Sequence, residues 1–214
     1  MGKAVIILFL FMVSFGCNNG AKQKASITKI SFPADTTLKD DTDKLGKKEA
    51  DFEANKKDSL GLLIATIPFN VKTDDKKDYE NGLIPWASIE KPEEDIPNLV
   101  DKNKIVIDES KVTVIIDYPL TNEYRFTVES KSGFTRAQLL KEISKNYYSI
   151  YAEEEQSATI KTIPLNKRTT LYNRNRTNGK YGIWGRDIAD LVLADILVYK
   201  TLDGQIILSL NIES

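Results

Sequence analysis

The 214-residue chain has no histidine and a single cysteine. Without imidazole there is no Ser-His or Cys-His catalytic arrangement and no histidine general base. One thiol, Cys17, makes no intramolecular disulfide, and with no histidine beside it no Cys/His zinc site can be assembled. An excess of charge of one sign is missing as well. The 30 basic and 31 acidic residues leave a formal net charge of -1, so no global field draws nucleic acid to the protein. No apolar run reaches the ~20 residues a bilayer-spanning helix needs. Any catalysis has to run on Asp, Glu, Lys, Tyr or Ser, and neither a metal nor a cofactor is expected.

What is present at the N-terminus is a short apolar run, Ala4 to Phe15, behind Lys3 and ahead of Gly16 and Cys17. At about a dozen residues it has the length of a signal-peptide h-region. The pattern resembles the signal of bacterial lipoproteins, departing from that family at Ser14 and Phe15, where its cleavage box has other residues. The resemblance implies a signal peptide over residues 1–16 and a lipidated Cys17, bearing a thioether-linked diacylglycerol and an N-acyl chain such as palmitate. A cysteine suits this chemistry because its thiolate is the nucleophile that a lipid donor alkylates. The implied partner is a lipid membrane reached through the acyl anchor. Asn18 does not match the Asp that marks inner-membrane retention, so the implied location is the bacterial cell envelope, at the outer membrane or facing the periplasm. An uncleaved anchor or an ordinary secretory signal is the competing reading.

Residues 17–59 are dominated by Lys, Asp, Glu, Thr and Asn, with Phe32 and Phe52 the only aromatics. Such a segment cannot bury enough apolar surface to offset its chain entropy, and it reads as a flexible charged tether. A coil of about 40 residues spans roughly 35 Å, enough to lift a domain off a membrane. Asp40, Asp41 and Asp43 lack the glycine and terminal glutamate of a calcium loop. Ser26 and Lys29 sit without a pocket to activate them.

Residues 60–214 have the length for one hydrophobic core. The expected fold is α+β, an antiparallel sheet of about five strands covered by one long helix. Lys104 to Asp108, Val112 to Tyr118 and Tyr124 to Glu129 read as an antiparallel meander of β-branched and aromatic runs. Trp86 reads as a core plug. Thr135 is a helix cap, with Gln138 as its capping-box partner and Phe134 stapled on Leu139. Leu139, Leu140, Ile143, Tyr147, Ile150 and Tyr151 then recur at helical spacing. Leu191 to Thr201 and Gln205 to Ile212 form a hairpin around Asp203-Gly204, a turn whose backbone angles glycine accepts.

Between helix and hairpin lies a connection of about 35 residues, against a usual length of ~4 to 6. Its second half, Tyr172 to Asp187, combines glycines, aromatics and local positive charge. Arg174, Arg176, Tyr181, Trp184, Arg186 and Asp187 are the candidate ligand-binding residues. Guanidiniums fork onto a carboxylate or phosphate and an aromatic face stacks on a sugar or base. The competing account makes Tyr181 and Trp184 plugs at the sheet's end and pairs the arginines with Asp187, Asp190 or the Glu153 to Glu155 cluster. Residues 173–193 also resemble a pattern of small uncharacterised bacterial proteins, which implies shared fold and no known activity.

The functional expectation is a membrane-anchored envelope lipoprotein serving as a binding or protein-interaction module, its partner an envelope protein or an anionic glycan. The alternatives are a glycan hydrolase using Asp187 with Asp190 or Asp195, and an inhibitor or immunity-type lipoprotein. A carboxylate-pair enzyme needs one carboxyl held protonated and a separation of about 5–9.5 Å.

Overall fold

The structure is a computed structural model and describes residues 60–169 and 174–214. Cys17, the charged tether and Tyr172 lie outside the described residues. No helix among the described residues is long and apolar enough to cross a membrane.

The main sheet has six strands. In chain order they are β1 (Leu62–Pro68), β4 (Ala87–Ser88), β6 (Lys111–Ile116), β7 (Tyr124–Glu129), β9 (Val192–Lys200) and β10 (Ile206–Glu213). Their spatial order is β1-β9-β10-β6-β7, with the short β4 sharing β9's outer edge beside β1. Two small ribbons flank it: β2 (Val71–Lys72) with β3 (Leu83–Ile84), and β5 (Ile105–Ile107) with β8 (Phe134–Thr135). A one-turn helix α1 (Pro92–Asp95) precedes β5, and α2 (Arg136–Ser157) is the 22-residue helix.

Two features correct the expected antiparallel sheet of about five strands. The sheet is mixed, because β10 runs parallel to β6, Leu208 opposite Val114. After β7 the chain crosses through α2 and re-enters by β9, and the β9–β10 hairpin inserts between β1 and β6 with β10 directed as β6 is. The meander is also incomplete, since β5 pairs with β8 and only β6 and β7 form the antiparallel hairpin. Gly133 makes the β5 pairing possible: at φ +77° it lies so close to β5 that a Cβ would sit 2.6 Å from the Ile107 carbonyl oxygen.

Helix α2 starts where capping chemistry places it. The Gln138 amide donates to Thr135 Oγ1 at 3.3 Å while the Gln138 side chain accepts from the Thr135 amide at 3.0 Å. Its stripe of Leu139, Leu140, Ile143, Tyr147 and Ile150 is buried against Val112, Val114, Ile116, Leu193, Ile196, Val198 and Leu208 on one sheet face. Side chains of this size contribute about 1.5–3 kcal/mol each when fully buried. In the preceding segment Phe69, Ala87 and Ile89 are fully buried, whereas Trp86 is half-buried with its ring edge against Tyr79. Among the described residues, a smaller second cluster of Leu60, Ile115 and Tyr199 has Leu197 and Ile207 packed against it.

Candidate functional site

The segment 174–187 is folded around one carboxylate. Glu154, in the last turn of α2, continues the buried stripe and is fully inaccessible to solvent. Its Oε1 accepts hydrogen bonds from Thr177 Oγ1 at 2.6 Å and the Gly179 amide at 2.8 Å. Its Oε2 accepts from the amides of Tyr181 at 2.8 Å and Gly182 at 3.1 Å. Burial pushes this carboxyl up, but the Thr177 hydroxyl and the three amides outweigh it and hold the group below the ordinary glutamate range. A charged acceptor roughly doubles the strength of each such bond.

Close approach of the loop to the helix requires glycine at 179. A Cβ there would lie 2.7 Å from the Glu154 carbonyl, from its Oε2 and from Ser157 Oγ. Around this centre Glu153 accepts from Lys180 Nζ at 2.7 Å and the Tyr181 hydroxyl at 2.8 Å. Those two contacts lower the Glu153 carboxyl. On its other side the loop docks on the β6–β7 turn. The amides of Thr121 and Asn122 donate to the Tyr181 carbonyl at 2.9 and 3.0 Å, and the Trp184 amide donates to the Pro119 carbonyl at 3.1 Å.

The six candidate residues are divided by this fold into inward and outward sets. Tyr181 is buried, its ring edge against Tyr124. Arg174 is buried over the Tyr151 ring, 4.9 Å from the centroid, and donates to Thr162 Oγ1. Asp187 forms a two-pronged ion pair with Arg168, and its amide donates to Asp190 Oδ2 at 2.8 Å. Trp184, by contrast, is 39% exposed, with its ring edge-on to Tyr118 at 5.2 Å. Arg186 Nε reaches the Tyr118 hydroxyl at 3.5 Å, and Arg176, exposed, donates to Thr121 Oγ1 at 3.0 Å. Trp184, Arg186 and Arg176 thus all rest on residues 118–121, with Trp184 and Arg176 exposed and Arg186 half-buried.

Of the acids considered for hydrolysis, Asp187 is held by Arg168 and Asp195 accepts from Asn211 Nδ2 at 3.0 Å. Sequence reasoning named Glu153 to Glu155 as partners for the arginines and missed that Glu154 accepts from the loop's backbone amides; it also missed Thr177, Arg168 and Tyr118 as parts of this region. One signal for Glu154 was on view: it falls on the apolar stripe, where a carboxylate must be satisfied by donors from elsewhere in the chain. Compared with protein-family models, curated proteins and solved structures, the chain matches none.

Proposed function

We propose that the protein is a binding module tethered to the bacterial cell envelope by acylated Cys17, and that it presents Trp184, Arg186 and Arg176 to an anionic glycan. The observation that carries the binding surface is the exposure of Trp184 beside two guanidiniums, on a loop whose backbone is pinned from beneath by Glu154. Ligand surfaces gain affinity when they are held ready in advance, because less freedom is lost on binding. An aromatic face covers the apolar face of a sugar, and the guanidiniums meet its carboxylate or sulfate groups. The anchor rests on the sequence pattern around Cys17.

Two measurements test the halves separately. Labelled palmitate is expected in the wild type and not in Cys17→Ala; an unlabelled, freely soluble wild type removes the anchor. For the surface, a uronic-acid polymer should shift the fluorescence of Trp184. Trp184→Phe, which leaves Trp86 as the sole reporter, should lose the signal, and Arg176→Gln with Arg186→Gln should weaken binding at least tenfold. Equal binding by that double variant removes the proposed surface.

A further inference from the structure

The same loop holds a buried guanidinium, Arg174, that has no ion-pair partner among the described residues. Arg174 is only 5% exposed, and its Nε and Nη1 have no hydrogen-bond partner. Its remaining nitrogen donates to the neutral Thr162 hydroxyl, and its plane lies over Tyr151. The nearby acid, Asp187, is occupied by Arg168, whose side chain is itself only 7% exposed. Tyr151 offers no compensating charge, because burial pushes its phenol far above the ordinary tyrosine range. Glu155 meets Arg174 only through the Thr162 hydroxyl, which donates to Glu155 Oε2 at 2.8 Å, so no described carboxylate touches the Arg174 guanidinium. A buried cation without a counter-charge is strongly disfavoured, and unpaired N–H groups there add to the cost.

Against this guanidinium, through Thr162, lies a strap of residues 158–168 attached by polar contacts. Asn178 Oδ1 accepts from the amides of Thr159 and Ile160 at 3.0 and 2.7 Å, and Asn175 Oδ1 accepts from the Ile163 amide at 2.7 Å. Glu155 accepts from Thr162 Oγ1 at 2.8 Å. The strap's large apolar residues Ile160, Ile163 and Leu165 all face solvent, so no apolar burial by them fastens it. The Arg168–Asp187 pair fastens the strap's far end, whereas its stretch from Thr159 to Ile163 is held by exposed hydrogen bonds, and segments held in that way open at the low end of a protein's stability range.

We infer that Arg174 is an anion-binding residue, and that a carboxylate or phosphate group seats against its Nε or Nη1 beside the 158–168 strap. The oxyanion supplies the acceptor and the negative charge that the chain leaves out. The site is separate from the Trp184 surface, since Arg176 and Arg186 lean on residues 118–121 and Arg174 on Tyr151 and Thr162.

The test is a thermal-unfolding titration of the full chain in nonionic detergent with inorganic phosphate or acetate, at ionic strength held constant with chloride. An anion that binds only the folded protein raises its midpoint in a saturable way. The expected result is a rise of several degrees for at least one anion, lost in Arg174→Gln and retained in Arg176→Gln. A response to phosphate alone assigns a phosphate-bearing ligand, and to acetate alone a carboxylate-bearing one. No response to either anion, or an equal response in Arg174→Gln, overturns the inference. Should Arg174→Gln fail to fold, the wild type decides: its Arg174 Nε–H resonance must move saturably with the anion, and an unmoved resonance overturns the site. Loss of glycan binding in the Arg176 and Arg186 double variant leaves this outcome untouched, so the two readings fail independently.

Discussion

The core beneath α2 and the loop 174–187 are both immobilised by the same helix, yet by opposite means. Along most of its length α2 presents Leu139, Leu140, Ile143, Tyr147 and Ile150 to the sheet, and water is excluded by apolar packing. At its last turn the stripe continues as Glu154, and the loop is organised by four hydrogen bonds to one carboxylate. Apolar packing is divided among many residues, whereas four of the loop's hydrogen bonds converge on a single side chain. The second arrangement is the more brittle, and it fixes backbone position more narrowly because hydrogen bonds are directional.

The most severe way to break this comparison is Glu154→Ala. It strands three amides, leaving the Thr177 hydroxyl with the Ile183 carbonyl at 3.2 Å, and the expected cost is about 4 kcal/mol, read from denaturant unfolding. Ile143→Ala, in the apolar half of the same helix, should cost about 3 kcal/mol by leaving a cavity, with the loop's amide protection unchanged. Gly179→Ala should cost about 2 kcal/mol, because the new methyl meets Glu154 and Ser157 at 2.7 Å. Trp184→Ala should cost about 1 kcal/mol, most of it the edge contact with Tyr118. A loss at Trp184 as large as that at Ile143 would mean the tryptophan is a structural plug after all.

Acid sharpens the same contrast. The folded Glu154 carboxyl is held below its unfolded value of about 4.3, so its contribution is complete above that pH. It is lost as pH falls from there through the lowered folded value. The stability gap between wild type and Glu154→Gln should therefore be constant from neutral pH to about 5 and close at lower pH. The gap between wild type and Ile143→Ala should not close in this way.

What the sequence disclosed follows the range of the interactions involved. The start of α2 was legible because Thr135 and Gln138 are three residues apart, and the β9–β10 turn because Asp203-Gly204 sits between two apolar runs. The parallel contact of β10 with β6 was not legible, since its partners, Leu208 and Val114, are 94 residues apart and no local pattern joins them. Only the tight approach of Gly133 to Ile107 shows why β5 leaves the meander. In the candidate site the composition of 174–187 pointed to a specialised loop, but not to which side chains face inward. Arg174 and Arg176 are two residues apart with the same chemistry, yet one is buried over Tyr151 and the other is exposed. That difference follows from partners distant in the chain, Tyr151 and Thr162 for Arg174 and Thr121 for Arg176.

The dependence of the loop on Glu154 is tested most directly by residue-resolved amide hydrogen exchange in the wild type and Glu154→Gln. The amides of Gly179, Tyr181 and Gly182 should be protected in the wild type and exchange at least tenfold faster in the variant, while those of Val114 and Leu208 keep their rates relative to one another. Unchanged protection at all three loop amides would contradict the assignment of Glu154 as the group that holds the loop in place.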